Sequence, residues 1–322
     1  MEETRDFAVA DPVTDDAAAG SAADVATSDS ATNAAAGLAA NATAGLAADS
    51  KVNPGSGHDC IFTVGELEEA LLTLLPASHA ESWDRTGVLV GDRDQEVTGV
   101  LVALDPTVAA IRAAVNLGCN VVLTHHPAFL DPPAFFGPLA PENPEAGSVV
   151  YEAVAAGVAL MNFHTALDVS PRAQQVLPGA LDLSLQGILE VTGTEPLRGY
   201  GQICQAPEGM TLGDLAKRAA SALGGNPRVW GDPAMVAGRV VTATGASSDL
   251  TDLCLQLGVD CLVAGEVKYH AALSAANRGL GIIELGHDIS ELPLCEVLLS
   301  CLADLGFPQS LTHHFSQHSN WR

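Results

Sequence analysis

Positive charge is what this sequence most lacks: 14 lysines and arginines stand against 39 aspartates and glutamates, a net charge of −25. So acidic a chain repels the nucleic-acid backbone and the anionic face of a membrane, and neither is expected as a partner. Also missing is any apolar run of the roughly 18 residues that a membrane span requires, and any basic N-terminus leading into an apolar segment. The seven cysteines, Cys60, Cys119, Cys204, Cys254, Cys261, Cys295 and Cys301, form no CxxC pair and sit mostly in apolar stretches. They read as buried thiols in a reducing compartment, and the expectation is a soluble, cytoplasmic protein. No Walker-type glycine loop is present to cradle phosphates.

What is there is enough to build cores: 322 residues, 48% of them hydrophobic, suit one large or two modest domains. Residues 1–57 are a different polymer, rich in Ala, Asp, Ser and Thr, with an imperfect octad repeat, NAAAGLAA at Asn33 and NATAGLAA at Asn41. With few large apolar groups to bury, this tail is expected to be disordered. It carries nine acids and two bases, which leaves 30 acids and 12 bases beyond Gly57, so the acidity belongs to the folded part as well.

The chemistry gathers at VVLTHHP, where an apolar strand pattern runs from Val121 into Thr124, His125 and His126 and stops at Pro127. Adjacent side chains on a strand face opposite ways, so one pocket uses both imidazoles only where the backbone turns. Two further clusters follow apolar runs, His164-Thr-Ala-Leu-Asp168 and His287-Asp-Ile-Ser-Glu291, each with a carboxylate four residues after a histidine. Imidazoles and carboxylates without thiolates suit borderline and hard divalent ions, and three such clusters predict a dinuclear metal site.

An internal duplication organises these clusters. Val100 opens one copy and Val240 the other; each runs strand, helix, strand, helix, strand, with a Leu-Gly pair 17 residues after the opening valine. Ligands at strand C-termini are what open α/β sheets present, so two related α/β lobes facing each other would share one cleft. Ahead of the first copy, Thr63 and Glu66 predict a capped helix carrying Leu67, Leu71, Leu74 and Leu75, ended by Pro76. The stretch from Trp83 to Gly91 reads as a turn and a short strand, with Trp83 as packing anchor or substrate platform and Asp84 as a turn residue. Between the copies the pattern is less regular, with short strands near 188–191 and 201–204, a helix over 212–223 and a loop at 224–227. An apolar helix over 292–305 precedes a tail with His313, His314 and His318, expected to be solvated or lightly docked.

WDRTGVLVG, LTHHP, HTALD, AGEVKYH and GHDISE occur in the order and spacing of the YbgI/Nif-three-like family, known as GTP cyclohydrolase 1 type 2 homologues, and the chain resembles that family from Thr63 to Ala303. The resemblance implies the Nif-three-like fold of two α/β lobes, with bounds expected at 58–186 and 187–322 and a dinuclear site between them. It carries over five metal ligands, His125, His126, Asp168, His287 and Glu291. Glu291 bridges the ions in that scheme, His126 and Asp168 completing one and His125 and His287 the other, with His164 behind the ligands. Glu266 and His270 are candidate proton carriers, the alternative being a surface ion pair of Glu266 with Lys268. The implied cofactors are two divalent cations, zinc, iron, manganese, cobalt or nickel. The implied activity is hydrolysis of a small molecule, GTP among the candidates, by a homohexamer; a non-catalytic metal-binding or partner-docking protein is the alternative. Where relatives continue HTxxD with a Gly-rich, Asn-Asp stretch, this chain has Val169-Ser-Pro-Arg-Ala-Gln-Gln175, so the edge of the pocket is expected to differ.

Overall fold

The computed structural model describes residues 62–316, so the N-terminal tail expected over 1–57 lies outside the described residues, as do Cys60 and His318. The first described helix, α1 (Val64–Leu74), starts where the sequence predicts. Thr63 accepts a hydrogen bond from the Glu66 N–H at 3.2 Å, and the Glu66 carboxylate accepts from the Thr63 N–H at 2.8 Å. This reciprocal cap satisfies two N–H groups that an open helix end would leave without partners.

Among the described residues the strands form two sheets. The first contains β1 (Gly87–Val90), β2 (Val100–Ala103), β3 (Val121–Thr124) and β4 (Ala159–Asn162), and β11 (Thr312–His314) joins it from the C-terminus, in the order β1-β4-β3-β2-β11. β2, β3 and β4 are parallel and every residue in them is buried. That is why they read as continuous apolar runs: helices cover both faces. Val100, Val102, Val121, Leu123 and Met161 face α1 and α10 (Leu294–Asp304), whereas Leu101, Ala103, Val122 and Leu160 face α2 (Val108–Asn116) and α3 (Glu145–Ala156).

The second sheet has the order β5-β6-β8-β9-β10-β7, from β5 (Ser184–Val191), β6 (Gly199–Gln205), β7 (Arg228–Trp230), β8 (Arg239–Ala246), β9 (Cys261–Glu266) and β10 (Gly281–Glu284). Its parallel centre is β8, β9 and β10. Val240, Cys261, Val263 and Ile283 face α5 (Val176–Ala180) and α6 (Leu212–Leu223), while Val241, Leu262 and Ile282 face α7 (Leu250–Gln256) and α8 (Tyr269–Asn277). The predicted duplication is therefore present, β2-α2-β3-α3-β4 matching β8-α7-β9-α8-β10.

The duplication also runs further back than the sequence suggests, into the stretch that looked irregular. Thr63 caps α1 and Thr211 caps α6. Val64 and Gly65 donate to the carbonyls of Gln95 and Arg93, and Leu212 and Gly213 donate to those of Met235 and Pro233. β1 lies antiparallel to β4 as β7 does to β10. The strands near 188 and 201 are longer than expected and pair as an antiparallel hairpin, β5 with β6. Sheet membership does not divide the chain at 187, since α10 and β11 return to the first sheet. Of the two expectations for the C-terminal segment, solvated or lightly docked, the structure shows it docked: His313 and His314 lie in a strand paired in parallel with β2.

Candidate metal centre

The C-terminal ends of the parallel strands from both sheets meet at one cluster. His125 and His126 follow β3, Asp168 ends the one-turn helix α4 (Thr165–Asp168) after β4, and His287 and Glu291 begin and end α9 (His287–Glu291) after β10. In α9 the four-residue spacing puts His287 and Glu291 on one face, Nε2 to Oε2 3.2 Å. The same spacing does something else in the first copy. His164 precedes α4 with non-helical backbone angles, so its ring turns to Asp84 while Asp168 turns to His125.

Distances assign two groups. His125 Nε2 lies 3.6 Å from Asp168 Oδ1 and 3.7 Å from Glu291 Oε1. Glu291 Oε2 lies 3.0 Å from His126 Nε2 and 3.2 Å from His287 Nε2. In each trio, and in His125-His126-His164, the donor atoms all lie within 4.8 Å of one another. The grouping differs from the resemblance scheme: Asp168 goes with His125, and His287 with His126. Both place Glu291 in the middle.

Each strand-end imidazole is turned so that Nε2 faces the cluster. The Nδ1 of His125 faces the Phe163 carbonyl oxygen at 3.2 Å, that of His126 faces Asp105 at 2.7 Å, and that of His164 faces Asp84 at 3.1 Å. An Nδ1–H donating in these directions leaves the Nε2 lone pair free for a metal ion. His125 Nε2 and Glu291 Oε2 are buried without a hydrogen bond, because their neighbours stand close but outside hydrogen-bond geometry. Buried polar groups in a folded protein need a partner, and a cation between imidazole nitrogens and carboxylate oxygens supplies one. The residues present fit a divalent metal.

The electrostatics are those of a cation site. Burial pushes the Glu291 carboxyl up, yet His125, His126 and His287 hold it well below the usual carboxylate range. Burial pushes His126 down, but Asp105 and Glu291 carry it to about 10. Asp168 is raised, mainly by burial. Burial also pushes Asp84 up, but hydrogen bonds from His164 and Thr165 hold it at about 2.

Two glycines of the second copy make room for Glu291. Gly245, at φ +60, would place a Cβ 2.4 Å from Glu291 Oε1; Gly265 would place one 2.5 Å from the Gly245 carbonyl and from Ser290 Oγ. Ser290 Oγ in turn accepts from the Gly245 N–H at 2.9 Å. Asp84 and Gly265 lie inside quoted motifs, WDRTGVLVG and AGEVKYH, without their contacts to the cluster being read from them, and Asp105 and Gly245 lie outside every motif. Asp105 follows the apolar run of β2 as the histidines follow β3, and that was the available signal.

Of the two proposed proton carriers, Glu266 is exposed with Oε1 3.6 Å from His287 Nδ1, and among the described residues it makes no ion pair with Lys268. His270 is exposed on α8 with its ring edge-on to Tyr269, and among the described residues it makes no hydrogen bond or ion pair to the cluster.

Comparison with known proteins agrees with this architecture. The model of the Duf34/NIF3 (NGG1p interacting factor 3) family matches residues 62–320. A Streptomyces coelicolor protein named "GTP cyclohydrolase 1 type 2 homolog" is 34% identical over 241 residues, covering 73% of this chain and 83% of its own. A Clostridium perfringens protein of the same name is 27% identical over 223 residues, 69% of this chain and 84% of its own. Among solved structures, the Staphylococcus aureus hypothetical protein SA1388 superposes with a TM-score of 0.72 at 23% identity, over 80% of this chain and 98% of that one. A Bacillus cereus protein related to NIF3 gives 0.71 at 19% identity, over 81% and 98%.

Proposed function

The chain belongs to the Duf34/NIF3 family, and from that premise and the geometry of the cluster we propose that it is a dinuclear metal-dependent hydrolase of small molecules, with GTP the first substrate to test. The observation that carries the reading is the buried pair of atoms without hydrogen bonds, His125 Nε2 and Glu291 Oε2, at the centre of two His/carboxylate trios.

In this reading His125, Asp168 and Glu291 would hold one ion, and His126, His287 and Glu291 the other. Two divalent ions supply an acidified water and a Lewis acid toward a polarised substrate oxygen or nitrogen. The chain's own residues do the rest. Asp105 and the Phe163 carbonyl fix the tautomers of His126 and His125, so that both present Nε2. Asp84 does the same for His164, whose ring stands 5.1 Å from that of His125 and 5.5 Å from that of His126. Glu266, exposed and beside His287, would accept a proton at its carboxylate and pass it to solvent. His270, the second candidate proton carrier, stands on α8 against Tyr269 and has no contact with the cluster among the described residues. In the cyclohydrolase form of the reaction, one water adds at C8 of guanine and the imidazole ring opens to a formamide, whose hydrolysis by a second water releases formate and leaves the amine.

The names of the curated relatives support GTP as the candidate. The family reading extends to a cytoplasmic homohexamer; the exposed Phe136, Tyr151 and Val154, which line one surface depression, support self-association. The deciding experiment is metal content per chain on untagged protein, paired with hydrolysis of GTP and a panel of phosphoesters and cyclic amides. About two ions per chain with turnover of one substrate is the expected result. Tight metal binding with no turnover would leave a metal-binding protein, and no metal would remove the reading.

A further inference from the structure

Among the described residues, eight of the eleven lysines and arginines are paired with a carboxylate, as an acidic chain makes easy; Arg85, Arg239 and Lys268 are not. Arg239 opens β8, at the end of the sheet away from the metal cluster, and its guanidinium is capped by the Leu257 carbonyl at 2.7 Å. Arg85 directly follows Asp84, the partner of His164. Its Nε donates to the Leu130 carbonyl and its guanidinium lies 5.7 Å over the ring of Phe129, three residues beyond His126. These contacts leave both Nη groups without an acceptor among the described residues.

Two positions before Arg85, Trp83 meets the His164 ring edge-on, centroids 5.8 Å apart at 73°, and is 56% exposed. The segment that carries it is tied down. The Glu81 N–H donates to Thr165 Oγ1 at 2.9 Å, Tyr200 O–H to Glu81 at 3.1 Å, the Thr165 N–H to Asp84 at 2.9 Å and Asn162 to the Arg85 carbonyl at 2.6 Å. A large indole held rigid, exposed and against a histidine of the metal cluster contributes little to the core. It offers a preformed stacking surface at low entropic cost.

We propose that Trp83 and Arg85 form the substrate subsite beside the metal centre and that they set the substrate class: a small molecule with a planar heteroaromatic ring and an anionic group such as phosphate. The ring stacks on Trp83, and the two free Nη groups of Arg85 grip the anion in a fork. The proposal rests on the metal-centre reading for the location of the chemistry. A nucleic-acid strand does not suit it, because one arginine cannot offset the repulsion between a −25 chain and a polyanion.

The test is equilibrium dialysis of GMP, guanosine and inorganic phosphate against the full chain, with metal content measured on every sample. Trp83→Ala is expected to weaken GMP and guanosine alike, roughly tenfold. Arg85→Gln is expected to weaken GMP and phosphate roughly tenfold and to leave guanosine unchanged. Arg239→Ala, an unpaired cation at the far end of the sheet, should change nothing. No binding of GMP or guanosine by the unmodified chain, or binding indifferent to both Trp83→Ala and Arg85→Gln, overturns the subsite even if two metals are present. A chain without metal whose GMP binding still depends on both residues keeps the subsite and removes the metal reading instead.

Discussion

The two copies of the repeat share a fold and divide the chemistry between them. Register makes the comparison residue by residue: Thr124 is paired with Ala103 and Asn162 in the first sheet, as Ala264 is with Ala243 and Glu284 in the second. The two residues after Thr124 are His125 and His126; after Ala264 they are Gly265 and Glu266. The second residue after Ala103 is Asp105, which orients His126; after Ala243 it is Gly245, which lets Glu291 approach. Both copies bring a carboxylate to the cluster from the helix that follows their third strand, Asp168 and Glu291, but only the first adds a pair of imidazoles at a strand end, where the second has glycine. Duplicating a fold gives two similar ends, and a single asymmetric site needs them to differ where they face each other.

Glu291→Ala should break this arrangement most completely, because each of its oxygens serves a different trio. Metal content is expected to fall from about two ions per chain to none, whereas Asp168→Ala should cost one. Elemental analysis of the two variants, with circular dichroism to verify folding, reads the difference. Equal losses would mean that Glu291 is not shared. Both variants should stay folded, since an open catalytic site contributes less to folding than a closed structural one.

Gly265→Ala tests whether the second copy's strand end must be empty. The added methyl would meet backbone at 2.5 Å, and backbone cannot step aside as a flexible side chain can. A loss of about 2 kcal/mol is expected from overpacking, with weaker metal binding as Ser290 and Glu291 are displaced. Denaturant midpoints and metal titration measure the two effects, and an unperturbed variant would mean that the strand ends are interchangeable. Asp105→Asn should do less. It keeps the shape while loosening the orientation of His126, and metal affinity is expected to drop roughly 10- to 100-fold with stability little changed. Competition against a chelator checks this.

How much of this was legible follows from distance along the chain. The strand before His125, the capped helix after Thr63 and the pairing of His287 with Glu291 are local patterns, readable because periodicity and spacing act within one element. Asp84 meets His164 across 80 positions, and Asp105 meets His126 across 21, both through loops that no period predicts. The second copy's opening was hidden for another reason. Gly91-Asp92-Arg93-Asp94-Gln95 and Gly231-Asp232-Pro233-Ala234-Met235 share only a Gly-Asp turn in sequence, and the rest of what repeats there is carbonyls accepting from a helix start. The return of β11 to β2 left no trace, since His313 and His314 look like a polar tail and their pairing is all backbone.

At core positions the copies should be interchangeable, and Cys261→Val is the sharpest small test of that. Cys261 opens β9 where Val121 opens β3, and both are fully buried under helices. Cys261 is fully buried in an apolar cluster and burial pushes its thiol up, so it packs as a small apolar group. Valine is slightly larger and suits a strand, so a change within about 1 kcal/mol is expected, with metal content unaltered. Thermal denaturation and elemental analysis report both. A loss of metal would tie a core thiol to the centre and contradict the division in which the copies differ only where they face each other; a large loss of stability alone would show that the two cores, though built on one pattern, are packed to different shapes.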